Sequence, residues 1–363
     1  MDVFPSGQTA MVGFLTDPDN QEDSVVICED FINSDNLNYI KYSMIKYTQQ
    51  SFPIGTKEIL ERPVLRSNES PEKYVNIQEN GFPKLDSYVR EGDCIIGKVL
   101  KTKDGKVSNN SLMCGLGEEG YVDRIIVTRE NLGNLYISIK LRSKRKYQAG
   151  DKLAIRYAQK GTIGRVEKRE NMPTVTKGIN KGTVPDLIFN PLGYPSRQTV
   201  GLLIEGLVSK AAVYSGKRVD SSAFIDIDKI TKDAMNQLTK VGMDEFGYES
   251  VNFPKKGKIE NKIVISPIYE QVLKHQVIDK IQMRSSGNKS LYTHQPRGGR
   301  SQRGGQKIGE MEKDSFVAHG ASGVILERMM KESDAFKIIV CQTCGIIIAD
   351  KTVHFVVNQI QGF

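Results

Sequence analysis

A chain of 363 residues has room for two or three domains, and 39% hydrophobic with 26% charged residues is the composition of a globular protein rather than a fibrous or disordered one. No apolar run approaches the roughly 20 residues a membrane-spanning helix needs, and no basic N-terminal region leads into an apolar core, which argues against a membrane span and a secretory signal. Five irregularly placed cysteines fit a reducing, intracellular compartment, and a formal charge of +8 favours polyanionic partners whose phosphates release counterions on binding.

Gly7 to Phe14 and Ser24 to Cys28 read as apolar strands, and Asp17-Pro18-Asp19-Asn20 reads as the turn between them. That turn delivers Gln21-Glu22-Asp23 to a loop edge. Two neighbouring carboxylates point apart in extended chain but share one ion if the turn bends them together, and Mg²⁺ takes one or two carboxylates before phosphates complete its octahedron. A merely solvated acidic turn is the competing reading. From about Ile45 to Lys146 short apolar runs between glycines and prolines predict a strand-rich stretch, with polar Ser67 to Asn80 and Lys101 to Asn110 as exposed loops.

The basic cluster Arg142, Lys144, Arg145, Lys146 leads into GDKLAIRYAQKGTIG, residues 150–164. Alternation of Leu153, Ile155 and Tyr157 with Lys152, Ala154 and Arg156 predicts a half-buried strand, and Lys160-Gly161 a turn where ammonium and backbone approach an anion together. Fully extended chain would hold Lys152 and Lys160 about 26 Å apart, so they serve one ligand only if the chain folds back between them. Two solvated lysines bracketing an ordinary strand is the alternative.

Beyond Asn171-Met172-Pro173, closely spaced glycines and prolines predict a rigid irregular loop. Ser196 then reads as the N-cap of a helix whose Val200, Leu203, Ile204, Leu207, Val208 and Ala211 recur at helical spacing and which Gly216 ends. Arg197 falls in the first turn, where its planar fork suits a phosphate or an ordinary surface acid. Ile227, Ile230, Ala234, Leu238 and Val241 predict a second amphipathic helix and Tyr269 to Arg284 a third, all assigned to packing. Seven basic residues between Arg284 and Lys313 face only Glu310 and Glu312. The segment RGGRSQRGG, with Arg297, Arg300 and Arg303 and followed by Lys307, reads as an arginine-glycine RNA-binding stretch that is disordered until bound. Met311 to Met330 predicts a helix packed through Ala318, Gly320, Ala321 and Gly323. Cys341 and Cys344, in Cys-Gln-Thr-Cys, offer two thiolates to tetrahedral zinc.

GDKLAIRYAQKGTIG resembles the paired active-centre lysine motif of the second-largest, β-like subunit of multisubunit DNA-dependent RNA polymerases. PSGQTAMVGF, NQEDSVVI, GDCIIGK, ENMPTVTKGINKGTVPDLIFNPLGYPSRQTVGLLIEGLVSKAA and IGEMEKDSFVAHGASGVILERMMKESDAFKIIVCQTCG continue the resemblance in the family's order from about Pro5 to Gly345, closer to the eukaryotic, archaeal and large-DNA-virus form than to the bacterial one. Tyr157-Ala158 stands where the pattern has His-Gly.

The resemblance implies an α+β fold corresponding to the C-terminal third of that subunit. Residues 1–45 and 148–310 would form a β-rich hybrid-binding region, part of a double-psi β-barrel, and 148–310 would include a switch loop, ordered but mobile, that carries RGGRSQRGG. Residues 46–147 would be an inserted wall or flap, 311–335 an anchor helix, and 336–363 a truncated clamp segment with a partial zinc knuckle. In roles, Lys152, Lys160 and Arg197 would face hybrid or triphosphate phosphates. Glu22 and Asp23 would hold a second, nucleotide-borne Mg²⁺ shared with the largest subunit, whose own carboxylates hold the first metal. Arg297, Arg300, Arg303 and Lys307 would follow the nucleic-acid backbone. Cys341 and Cys344 would give a half-built zinc site, since the family's second Cys-x-x-Cys is absent before Phe363. The implied partners are the largest subunit, assembly subunits, DNA template, RNA–DNA hybrid and nucleoside triphosphates, with no membrane, in nucleus or cytoplasm. The implied reaction is template-directed nucleotidyl transfer, with the isolated chain inactive. The competing class is a non-enzymatic nucleic-acid-binding protein or degenerate polymerase relic.

Overall fold

A computed structural model describes residues 6–50, 52, 55–65, 69–103, 105–129, 133–254, 262–335, 337–341, 345–347 and 357–361, with backbone alone for 337–339, 341 and 357–361. The chain divides into two units, Met1–Asp279 and Lys280–Phe363.

The first unit is built on strands Gly7–Phe14, Ser24–Cys28, Lys152–Ile155, Lys160–Glu167, Leu187–Phe189 and Lys262–Val272. Taken round the sheet, Gly7–Phe14 runs parallel to Leu187–Phe189, which runs antiparallel to Ser24–Cys28, which runs parallel to Lys160–Glu167. Lys160–Glu167 then pairs antiparallel with Lys152–Ile155, and that strand antiparallel with Lys262–Val272, which returns antiparallel to Gly7–Phe14. Six strands therefore close on themselves, and closure leaves none of them as an unpaired edge. Tyr248–Asn252 and Thr174–Val175 extend the sheet outside the ring. Val12, Val26, Ile27, Leu153, Ile163, Leu187 and Ile268 meet in one core. Ser24–Cys28 is buried along nearly its whole length, the pattern of a strand covered on both faces.

The strand-rich reading of Ile45 to Lys146 agrees with the structure. Tyr39–Thr48, Leu135–Arg145, Gly120–Arg129 and Tyr88–Val89 form a four-stranded antiparallel sheet in that spatial order, with Ile45, Val89, Val122, Ile137, Ile139 and Leu141 in a core of its own. Within the stretch expected to be loop, Tyr74 and Ile77 are buried against Cys94, because a short 3-10 turn over Pro71–Tyr74 directs them inward.

Several helical expectations change. The helix Val200–Ser215 forms and Gly216 ends it in a left-handed conformation, but its N-cap is Thr199, not Ser196. Ser196 and Arg197 close a preceding short helix, Gly193–Arg197, which Gln198 terminates at φ 53°. The Ile227–Lys240 helix is as expected, with Asp226 accepting from the Lys229 N–H. Tyr269 to Arg284 is not a helix: the long strand Lys262–Val272 claims its first residues and a 3-10 turn over Val277–Asp279 follows.

In the second unit the arginine-glycine stretch is folded by main-chain bonds: Gly304 N–H donates to Gly299 C=O at 2.9 Å and Gly305 N–H to Arg297 C=O at 2.9 Å. Lys289 Nζ donates to Ser333 C=O, and Gln295 Nε2 to Asp334. The expected single helix breaks: Glu310–His319 ends at Gly320 (φ 73°), then Ser322–Ile325 leads into a π-helical turn, Leu326–Asp334. Ala318, Gly320 and Gly323 are exposed among the described residues. Lys337–Cys341 pairs with Val357–Gln361. The expected zinc knuckle falls outside the described residues, which exclude Cys344 and the side chain of Cys341.

Candidate active site

Lys152–Ile155 and Lys160–Glu167 are the two arms of a hairpin, so the chain does fold back between the lysines. Lys152 stands opposite Thr162, and Lys160 opposite Ala154. Leu153, Ile155, Gly161 and Ile163 are buried on one face, and alternation puts Lys152, Ala154, Lys160 and Thr162 on the other. The lysines are thus diagonal neighbours across the pair, with backbone positions about 7–8 Å apart. The turn closes with Ile155 N–H donating to Gln159 C=O at 2.9 Å and with Ala158 at φ 60°. Glycine adopts that conformation without steric cost, whereas alanine occupies it under strain.

The acidic turn lies against the same hairpin. Thr162 N–H donates to the Asp23 carbonyl at 3.0 Å. A side chain at Gly161 would put its Cβ 2.7 Å from that carbonyl oxygen, which is why the residue after Lys160 has none. Glu22 is bent at φ 56° and exposed, and Asp23 is partly exposed.

Arg197 completes the group. Its Nη2 lies 2.6 Å from the Asp23 carboxylate, 174 residues away in sequence, and Nη1 donates to Gln159 Oε1 at 2.7 Å. Gln159 is 2% exposed, and its Nε2 donates to Gly193 C=O at 3.2 Å and Thr199 Oγ1 at 2.9 Å. The carboxamide therefore holds one terminal nitrogen of the guanidinium while Asp23 meets the other. Of the two sequence readings of Arg197, the paired acid is what the structure contains. The guanidinium is 38% and the carboxylate 45% exposed, and pairs this open are worth only about 0.2–1 kcal/mol.

Glu22 and Asp23 offer hard oxygen donors at an open turn, which fits Mg²⁺ carried in by a phosphate ligand, since such an ion needs one or two carboxylates and fills the rest of its shell with phosphate and water oxygens. Among the described residues no three His, Cys, Asp or Glu side chains converge, so these acids form no self-sufficient cage. Below the hairpin, Glu270 on the strand paired with Ile155 is buried, and that burial, reinforced by nearby Glu205, pushes its carboxyl up to about 8.

All of Lys152, Lys160, Glu22, Asp23 and Arg197 lie in the first unit, with the Asp23 main chain bonded to the lysine hairpin and its carboxylate to Arg197. Sequence reasoning missed Gln159, which sits inside the lysine motif but whose amide carries no pattern of its own. Arg297, Arg300, Arg303 and Lys307 belong to the second unit. There Arg297 lines a cleft of about 430 Å³ with Leu291, Tyr292, Pro296 and Gln302, and Arg300 Nε donates to Ile281 C=O at 2.9 Å.

The first unit is thus a closed ring of six strands whose hairpin carries the paired lysines and bonds the main chain of the acidic turn, and comparison with known proteins specifies its family. Residues 1–302 match the family described as RNA polymerase Rpb2, domain 6, and residues 304–361 match RNA polymerase Rpb2, domain 7. The chain belongs to the Rpb2 family, the second-largest subunits of DNA-directed RNA polymerases, and corresponds to their C-terminal region. It is 36% identical to DNA-directed RNA polymerase II subunit RPB2 of Schizosaccharomyces pombe over 95% of its own length and 29% of the relative's. Identity is 33% to DNA-directed RNA polymerase II subunit 2 of Arabidopsis thaliana, over 90% of this chain and 28% of that one. The archaeal DNA-directed RNA polymerase subunit Rpo2 of Sulfolobus acidocaldarius is 29% identical, over 94% and 31%. The chain therefore spans less than a third of the length of these relatives.

Proposed function

We propose that this chain supplies part of the nucleotide-addition site of a multisubunit DNA-dependent RNA polymerase. The observation that carries the reading is the hairpin: Lys152 and Lys160 stand side by side on one face, and the strand that bears Lys160 also holds the Asp23 backbone. In the reaction an RNA 3′ oxygen attacks the α-phosphate of a nucleoside triphosphate and pyrophosphate leaves. Preorganised cations are the protein's means of stabilising charge that gathers on phosphate oxygens in such a displacement. Lys152 and Lys160 act as those cations, Arg197 as a planar phosphate contact, and Glu22 with Asp23 as ligands of the nucleotide-borne Mg²⁺, which neutralises triphosphate charge when bound. The closed six-stranded ring is read as a double-psi barrel, the strand-rich stretch 46–147 as the wall, and Cys341 with Cys344 as one half of a zinc knuckle. Partners are the largest subunit, assembly subunits, DNA template and RNA–DNA hybrid. The first metal's carboxylates belong to the largest subunit, so the chain alone does not transcribe.

The test is Lys160→Ala in a polymerase reconstituted with this chain. Nucleotide addition is expected to fall by about a hundredfold or more, the scale for removal of one preorganised transition-state contact. Unchanged addition, with RNA binding lost instead on replacing Arg297, Arg300 and Arg303, would favour a nucleic-acid-binding protein without catalysis.

A further inference from the structure

Asp23 and Arg197 satisfy each other, although one is suited to a metal and the other to a phosphate. We infer that this pair is a specificity device: it selects a polyphosphate that arrives with its divalent cation over either component alone. The inference rests on the reading of the site given above.

A free divalent cation that takes the Asp23 carboxylate leaves the Arg197 guanidinium beside a new positive charge and without its counter-ion. A metal-free polyphosphate that takes Arg197 leaves Asp23 unpaired and facing another anion. In each case one favourable contact is exchanged for a lost pair plus a like-charge contact. A metal–polyphosphate complex presents a cation and an anion together, so each half of the pair finds a replacement in the same event. The exchange is shallow, because an ion pair this exposed is held by a factor on the order of five at most. It is also geometrically prepared. Gln159, anchored to Gly193 and Thr199, keeps hold of Nη1 while Nη2 is released, so Arg197 stays on the face it occupies. The Asp23 carbonyl bond from Thr162 does the same for the acid. Neither side chain needs a new backbone conformation to change partner.

Isothermal titration of the full chain separates the components, using MnCl₂ alone, inorganic tripolyphosphate with chelator, and Mg²⁺–tripolyphosphate as probes. Wild type is expected to bind the complex more tightly than either component. Asp23→Asn frees Arg197, so metal-free tripolyphosphate should tighten by about two- to fivefold while the complex weakens. Arg197→Gln frees Asp23, so Mn²⁺ alone should tighten by a similar factor while the complex again weakens. The double variant should lose both gains, and a circular-dichroism melt confirms that each variant is folded. If wild type binds the complex but both single variants weaken for every probe, the selective exchange is wrong and the polyphosphate site stands. If no probe binds to wild type or to any folded variant, the reading of the site itself fails.

Discussion

Ala158 shows how far one residue can depart from a pattern without losing the geometry. It occupies the left-handed position at φ 60° that closes the lysine hairpin, where the resembling motif has glycine. An L side chain there costs about 1–2 kcal/mol, and glycine's larger unfolded-state entropy returns part of that. Ala158→Gly is therefore expected to stabilise the chain by about 0.5–1 kcal/mol in urea titration, and destabilisation would mean that the methyl group makes a contact worth more than the strain. Gln159, the next residue, has the opposite character: its conformation is ordinary, and its worth lies in three side-chain hydrogen bonds that tie the turn to Gly193, Arg197 and Thr199.

At the scale of elements, the strand Lys262–Val272 and the helix Val200–Ser215 meet through Gly206, where an added Cβ would sit 3.2 Å from Ser266, and through Glu205, whose carboxylate accepts the Tyr269 N–H at 3.1 Å. Glu270 lies in this strand with its carboxyl held up to about 8, first by burial and then by Glu205. The folded chain keeps that proton at pH values where the unfolded chain, with an ordinary value of 4.5, has released it. The contribution to stability is complete below about 4.5 and is lost as pH rises towards 8, with a slope of up to about 1.4 kcal/mol per pH unit. Glu270→Gln should flatten this part of the stability profile between pH 5 and 8 in thermal melts; an unaltered slope would show that another group carries it. The same strand shows why some elements were illegible. Its KIVISPIYEQV run is mostly buried without regular alternation, and a buried strand and a helix segment cannot be separated by periodicity when both are continuously apolar. The Gly7–Phe14 and Ser24–Cys28 strands were legible because turn residues bracket them, and the helix Ile227–Lys240 because its apolar stripe recurs at helical spacing.

Across the whole molecule, an excess of eight positive charges becomes informative only when it is located. The first unit places two lysines side by side on its barrel; the second gathers arginines on a loop folded by main-chain bonds. Single-stranded RNA binding by the chain is expected to weaken steeply with salt. Combined replacement of Arg297, Arg300 and Arg303 by alanine should lower the log–log salt slope by about 2, near 0.7 per lost phosphate contact. A slope unchanged by these substitutions would place the RNA elsewhere. The sequence made the lysine pair, the acidic turn and the arginine visible as separate features. It could not show that Asp23 and Arg197 touch, because proximity between residues 174 apart arises from barrel closure and leaves no trace in either local stretch.

The hairpin also limits how this chain can vary in length. Side chains in a strand alternate between two faces, so gaining or losing a single residue between Arg156 and Gln159 would carry position 160 into the barrel's interior and bring the slot beside Asp23 to the outside. Two altered letters at 157 and 158 leave the bend in place, whereas one missing letter would bury an ammonium group. Along this stretch the number of residues is constrained more tightly than their identity.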